Sequence, residues 1–327
     1  MSAPLKNLRH LTPKQRRHLL IDELGLDAKE AELLERSSLG YWAAELDRLG
    51  TSENIFSAFP LPLSIATNFV VNGKPVAVPM ATEEDTVVAG ASNAARLCLP
   101  DGFTVTNDTP QTIAKAQILY ADLENPWGIY TDLLGETALK TNLQEMYNPL
   151  RKYGGDIMMV SVEPPVRTKE GKAFLVLTVM INSAEAMGAR VAVDVARHLA
   201  DLMMPKTKKA PTAIRPDNEG SGRLVTARAS WPMSAIGHES ASGLEMANRV
   251  IAIQDWAAND VPAAVTHNKG IMNGIDAVAI ATGQDWRAIE AAVHAKATTV
   301  VIPTRTKTPS DYKYADNGPP SQAEGRR

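Results

Sequence analysis

Hydrophobic and polar positions fall in blocks along this chain, and the period changes from block to block. Thr12-Pro13-Lys14-Gln15 has the form of a helix start. Thr12 can cap, Pro13 suits the first helical position, and Gln15 can close a capping box. Leu19, Leu20 and Leu24 then predict one apolar face. Asp27-Ala28-Lys29-Glu30 opens a second helix by the same logic, with Ala31, Leu33 and Leu34 inside, and Trp42, Ala43 and Leu46 belong to a third. No chemistry is visible in this helical head, which predicts packing or subunit contact. Two prolines, Pro60 and Pro62, forbid a continuous helix in the next stretch. Residues 69–80 read as a hairpin, because Asn72-Gly73 is a strong two-residue turn signal. Glu83, Glu84 and Asp85 precede a small, apolar run from Val87 to Ala95 that reads as a buried helix, where acids in the first turn suit the helix dipole.

The middle of the chain is richer in β-branched residues. Residues 113–119, 157–162 and 174–181 read as strands, 131–150 as helical, and 185–204 as a long helix with Val191, Val195, Leu199 and Leu202 close to a 3.6 period. The order strand–helix–strand–strand–helix–strand predicts a small α+β domain over residues 111–225. Residues 242–258 form another helix. It leads into Thr266-His267-Asn268-Lys269-Gly270-Ile271-Met272-Asn273-Gly274-Ile275-Asp276, read as a polar loop, followed by the apolar run Ala277-Val278-Ala279-Ile280-Ala281. By itself that loop is open to two readings: a Gly-rich connection with a solvated lysine, or chemistry carried on a rigid scaffold.

Composition narrows the setting. The chain has 327 residues, enough for about two domains. It is 44% hydrophobic and 22% charged with a net charge of −3, which fits a soluble globular protein and points away from nucleic acid. No apolar run approaches the ~20 residues that span a bilayer, and residues 1–10 do not read as a secretory signal. The single cysteine, Cys98, excludes an internal disulfide and favours a reducing, cytoplasmic setting. It reads as a helix interior, which favours an inert buried thiol over a nucleophile. The six histidines do not cluster at ligand spacing, so no metal is expected, and Gly220-Ser221-Gly222 lacks the third glycine of a dinucleotide fingerprint.

Several segments together resemble the bacterial-type (class II) 3-hydroxy-3-methylglutaryl-CoA reductases. They are Glu53-Asn54 before a Phe-rich Pro segment, Ala66-Thr67-Asn68-Phe69, Val78-Pro79-Met80-Ala81-Thr82-Glu83-Glu84, Ala186-Met187-Gly188-Ala189, and the run from Thr266 to Asp276 with Thr282-Gly283 and Asp285-Trp286-Arg287-Ala288. The resemblance runs from about residue 8 to Ala297. It implies an α+β fold in which a large substrate-binding and dimerisation domain (residues 1–110 plus 226–297) is interrupted by a small ferredoxin-like NAD(P)-binding domain (residues 111–225). The implied reaction is a four-electron, two-hydride interconversion of 3-hydroxy-3-methylglutaryl-CoA and mevalonate plus CoA, in either direction. The implied alternative is a catalytically inactive relative that binds CoA, NAD or a partner.

The resemblance also assigns roles. Lys269 is the cation at the reacting carbonyl oxygen, Glu84 the acid that protonates it in the aldehyde step, and Asp285 the carboxylate between them; the bland role for Asp285 is to cap the helix that starts at Trp286. Asn273 orients Lys269 or a substrate oxygen, and Glu53, Asn54, Thr86 and Asn218 fall on the substrate side. Glu185, Met187, Gly188, Ala189 and Arg190 form the helix start that receives a pyrophosphate. Asp156 corresponds to the acid that reads the adenosine ribose; a carboxylate there favours NAD(H) over NADP(H), which stays possible. The partners implied are a CoA thioester and a second copy of the chain, with an active site shared across the homodimer.

Four features depart from the family pattern. Arg190 stands where Asn is usual, Ser57 where Gly is common, and Asp260-Val261-Pro262-Ala263-Ala264-Val265 lacks the arginine expected shortly before Thr266. Residues 298–327 are Pro-, Thr- and Lys-rich without a helical period and carry no family motif. The resemblance implies further sequence there, ending in a C-terminal flap with a histidine for the departing thiolate. One codon choice for Thr298-Thr299-Val300-Val301-Ile302, read in another frame, yields Asp-Gly-Arg-Tyr. This predicts a frameshift near codon 297 and impaired thioester chemistry without the flap.

Overall fold

A threonine and a glutamine begin the first helix as their chemistry requires. In the computed structural model, Thr12 Oγ1 accepts from the Gln15 N–H at 3.4 Å while Gln15 Oε1 accepts from the Thr12 N–H at 2.8 Å, closing the capping box. The structure describes residues 10–37, 40–108, 112–134 and 138–299; the irregular tail expected over 298–327 lies almost wholly outside them.

The chain divides into two compact units. The first comprises the residues up to Ser64 together with Ala81–Asp85. It holds α1 (Pro13–Leu24), α2 (Ala28–Ser37) and α3 (Gly40–Arg48). The apolar face expected for α1 is only partly used: Leu24 is exposed, whereas Arg16 and Arg17 are 4% and 5% exposed. Buried guanidinium groups need partners. Arg16 Nη1 donates to Asp47 Oδ1 and to the Ile55 carbonyl, both at 2.6 Å, and Arg17 Nη1 donates to the Phe56 carbonyl at 2.7 Å. The helical head is thus tied to the segment that carries Glu53 and Asn54.

The second unit holds Ile65–Met80 and the chain from Thr86 onward. Strands β1 (Leu63–Val71) and β2 (Lys74–Ala81) form the expected hairpin. Asn72 and Gly73 both have positive φ, 49° and 76°, the turn chemistry that Asn-Gly supplies without strain. Helix α4 (Asp85–Leu97) follows, but only Ala95 of it is buried. Cys98 is buried just beyond its end, with Sγ donating to the Ala95 carbonyl at 3.2 Å. Ala66 and Met80 of the hairpin form a small core with Ala277, against which Val87, Val88 and Ala91 pack.

Next come β3 (Thr104–Asn107), β4 (Ile113–Ala121), α5 (Pro126–Leu133), α6 (Ala138–Met146), β5 (Asp156–Val162), β6 (Val166–Arg167), β7 (Ala173–Asn182), α7 (Ala189–Thr207), β8 (Ala213–Asp217) and β9 (Val225–Arg228). The single helix expected over 131–150 is two helices: Asn125 caps the first early, its Oδ1 accepting from the Gly128 N–H at 3.0 Å, and extended backbone at Leu134 (ψ 117°) ends it. The main sheet has the order β5-β7-β4-β8, every pair antiparallel, with β6 beside β7. Burial alternates with period two along β4 and points Ala116, Ile118 and Tyr120 inward. On α7, Val195, Leu199 and Met203 are fully buried at i, i+4 and i+8. They meet Leu175, Leu177 and Ile181 of β7 in a core drawn from residues 114–203. Each such side chain contributes about 1.5–3 kcal/mol on burial.

The chain ends in helices α8 (Met233–Ile236), α9 (Gly243–Asn259), α10 (Val261–Ala281) and α11 (Trp286–Thr299). Here the structure corrects the sequence reading: residues 266–276 are not a loop but the middle of α10. Asp260 caps it, accepting from the Ala263 N–H at 2.9 Å, and Pro262 sits in the first turn. A well-made start and an apolar second half carry the helix through two glycines. Among the described residues no helix is long and apolar enough to cross a membrane.

Candidate active site

The register of the main sheet decides which candidate residues meet. Asn182, the last residue of β7, pairs with Asp156, the first of β5, and with Ile113, the first of β4. Lys115 of β4 pairs with Asp217, the last of β8. One end of the sheet therefore gathers Asp156, the turn that follows Asn182, and Asn218.

That turn carries Glu185, Met187, Gly188, Ala189 and Arg190. The helix expected from Glu185 begins at Ala189, with Gly188 as N-cap. Gly188 has φ 85° and no room for a side chain: a Cβ there would lie 2.5 Å from Ser183 Cβ and 2.9 Å from Ala114 Cβ. Having no side chain, Gly188 also caps no amide, and the first helical bond runs from the Ala192 N–H to the Gly188 carbonyl at 2.8 Å. The N–H groups of Ala189, Arg190 and Val191 have no partner within the helix, the donor set that an anion requires. Glu185, Met187 and Arg190 are exposed around it.

Asp156 is tightly held. Its Oδ1 accepts from Asn148 Nδ2 at 2.7 Å, from the Ile157 N–H at 2.8 Å and from Gln144 Nε2 at 2.9 Å. Desolvation pushes its pKa up, but the donors Asn148, Ile157 and Gln144 together outweigh that and hold it below 3.8.

Asn218 lines a cleft of about 480 Å³ between the end of β8 and α11, together with Gln117, Arg215, Asp217, Glu219 and the methyl groups of Ala291 and Ala295. The approach is close, since a Cβ on Gly220 would lie 2.4 Å from Ala292 Cβ. Glu219 is paired with Lys115 at 3.0 Å and accepts from the Ser221 hydroxyl; Ser221 and Lys115 hold its pKa below the usual carboxylate range.

Lys269 and Asn273 stand on α10 one turn apart, at i and i+4, and Asp276 continues the same face at i+7. Asp276 Oδ1 is buried without a hydrogen-bond partner among the described residues. Burial, and then the charge of Glu290, push its pKa up, while His294 opposes the rise. Asp285 caps α11: its Oδ1 accepts from the Ala288 N–H at 3.2 Å and lies 3.8 Å from Arg287 Nε. Both partners belong to its own helix, so within one chain Asp285 has its capping role.

In the first unit, Glu84 is exposed in the short connection before α4, with its N–H donating to Thr82 Oγ1 at 3.2 Å. Thr86, in the first turn of α4, is exposed, as are Glu53 and Asn54, the latter with φ 56°. Among the described residues no group of three His, Cys, Asp or Glu is arranged to hold a metal ion.

Three arginines escaped the sequence reading. Arg16 and Arg17 were hidden by their place on a helix expected to bury leucines. Arg223 follows Gly220-Ser221-Gly222, a run that by itself reads only as an incomplete dinucleotide fingerprint. The signal was Gly222 itself, which lets the backbone approach β4: a Cβ there would lie 2.4 Å from Ile113 Cβ.

The sequence and the fold are both matched in known proteins. The sequence matches the hydroxymethylglutaryl-coenzyme A reductase family over residues 12–314, and the chain belongs to that family. It is 33% identical over 301 residues to the 3-hydroxy-3-methylglutaryl-coenzyme A reductase of Archaeoglobus fulgidus, covering 91% of this chain and 66% of that protein. It is 26% identical to a probable enzyme of the same name from Borreliella burgdorferi, covering 64% of it. The chain thus spans about two thirds of the length of these relatives. The fold is similar to that of 3-hydroxy-3-methylglutaryl-coenzyme A reductase of Streptococcus pneumoniae, with a TM-score of 0.72 and 30% identity over 91% of this chain and 79% of that one. A class II structure of that enzyme bound to NADPH matches with a TM-score of 0.71.

Proposed function

We propose that this chain acts as a hydroxymethylglutaryl-CoA reductase, interconverting 3-hydroxy-3-methylglutaryl-CoA and mevalonate plus CoA with two hydride transfers. The observation that carries the reading is the meeting of Asp156, the turn at residues 185–190 and Asn218 at one end of the main sheet, beside the cleft against α11. In this reading residues 111–225 are a ferredoxin-like nucleotide-binding domain. It interrupts a larger domain made of residues 1–110 and 226–297, as its β-α-β-β-α-β order supports.

A bound nicotinamide dinucleotide supplies the hydride. The uncapped N–H groups of Ala189, Arg190 and Val191 hold its pyrophosphate. Asp156 faces the ribose, and its ionised carboxylate favours NAD(H) over NADP(H). Each hydride addition puts negative charge on the substrate carbonyl oxygen. Lys269 stabilises that charge, Asn273 orients the group one turn away, and Glu84 supplies the proton to the aldehyde oxygen. Asp285 is the carboxylate that tunes the lysine and the acid, Asn218 contacts substrate, and Glu53, Asn54 and Thr86 belong to the substrate side. Glu84 is exposed in a single chain, whereas hydride chemistry on a thioester needs a site closed to water. A homodimer whose partner covers Glu84 satisfies that need, and the cytoplasm is the compartment that suits it.

Lys269→Ala tests the reading. Lys269 is exposed and alanine favours helix, so the fold should persist. Consumption of reduced nicotinamide with mevaldehyde and with the CoA thioester is expected to fall on the order of 10²–10³-fold, the scale of a lost oxyanion donor. Turnover in the variant equal to that of the unsubstituted chain would overturn the assignment.

A further inference from the structure

Arg223 closes a turn formed by the Arg223 N–H and the Gly220 carbonyl, 3.0 Å apart. From there its guanidinium reaches three points that are distant in sequence. Nε donates to the Ile113 carbonyl at 3.1 Å, at the start of β4. Nη2 donates to Ser183 Oγ at 3.1 Å and to the Met187 carbonyl. Ser183 is 1% exposed and passes the tie onward, its hydroxyl donating to the Ala186 carbonyl at 2.7 Å. Ala184 and Gly188, within the same turn, have positive φ of 50° and 85°. A left-handed alanine is unfavourable on its own and persists only where its surroundings hold it.

We infer that Arg223 is a positioning residue for the dinucleotide: by fixing the turn from Ser183 to Gly188, it holds the first amides of α7 in place for the pyrophosphate. This rests on the reading of that helix start as the cofactor site. The physical argument is one of pre-organisation. Three N–H groups act together on an anion only if their turn is rigid before it arrives. Arginine suits the task and lysine does not. A planar fork satisfies the Ile113 and Met187 carbonyls and the Ser183 hydroxyl at once, whereas an ammonium is a single point.

Calorimetric titrations of the full chain with NADH, NADPH and, separately, CoA test the inference, alongside amide hydrogen exchange of the unliganded protein. Arg223→Ala is expected to weaken dinucleotide binding on the order of tenfold or more. CoA binding should stay within about twofold, and exchange should speed up at residues 184–191 and not across the β4–β7 core. Arg223→Lys should recover little of this. Arg197→Ala, which removes an exposed charge paired with Asp194 further along α7, should leave both affinities unchanged. Equal dinucleotide affinity in Arg223→Ala and the unsubstituted chain, or exchange raised throughout the sheet, would overturn the positioning role. Failure of the unsubstituted chain to bind either dinucleotide would instead overturn the site reading, and this inference with it.

Discussion

Asn148 donates to Asp156 at 2.7 Å, joining the end of α6 to the first residue of β5. With Gln144 and the Ile157 N–H, it makes one carboxylate oxygen the meeting point of three donors. Asp156→Ala would leave Gln144 and Asn148 without that acceptor, and a loss of roughly 1–3 kcal/mol is expected in urea denaturation. The loss carries a pH signature. The folded pKa lies below 3.8, so the ionised group adds stability above that value and the addition vanishes as pH falls through the folded pKa. The gap between the two proteins should therefore narrow below about pH 3.8. A gap that holds constant down to the lowest workable pH would show that packing, not the carboxylate, is responsible.

Asp276 behaves in the opposite sense. Desolvation and the neighbouring Glu290 raise its pKa above 3.8, so the folded state holds the proton more tightly than the unfolded state. Ionisation then costs stability, a cost absent at low pH and growing as pH rises through the folded value. Asp276→Asn should raise the thermal midpoint at pH 7 and change it little at about pH 3. A lower midpoint at pH 7 would mean that the ionised group has a partner it needs.

Gly270 lies inside α10, and a Cβ there would meet nothing within 4 Å. Glycine in a helix interior costs about 0.5–1 kcal/mol relative to alanine. Gly270→Ala should therefore stabilise the isolated chain by that amount, measured by denaturant midpoint at dilute concentration. The same substitution should weaken self-association in sedimentation if α10 faces a second copy, as the shared-site reading requires. Destabilisation at dilution would show that the space is filled within one chain.

Much of the local structure was written in short segments. Thr12 and Gln15 closed their box, Asn72-Gly73 turned the hairpin, β-branched residues marked β4 and β7, and the 3.6 period along α7 marked the face it buries. In residues 111–225 three strands and the long helix could be read from β-branched runs and one 3.6 period, whereas α5 and α6 were read as one helix. The exceptions were decided by competition. Residues 266–276 hold polar groups and two glycines, yet Asp260 and Pro262 start a helix and Met272, Ala277 and Ala279 bury enough of one face to continue it. On α1 two arginines are buried in place of Leu24, because Asp47 and two backbone carbonyls were there to receive them.

The sequence by itself determined the family, through motifs long enough to be specific, and with it the residue types on which the proposed chemistry rests: a lysine, carboxylates, and a Gly-containing helix start. Only the tertiary structure decided their company. Strand register put Asp156 beside the turn after Asn182, two glycines let backbones approach within reach of Arg223, and the fold of α10 set Lys269, Asn273 and Asp276 on one face. Lys115 and Asp217, or Arg223 and Ser183, are many residues apart, and no local period relates them. Their contacts exist because a sheet and a packed helix close long loops, and sequence spacing does not encode that closure.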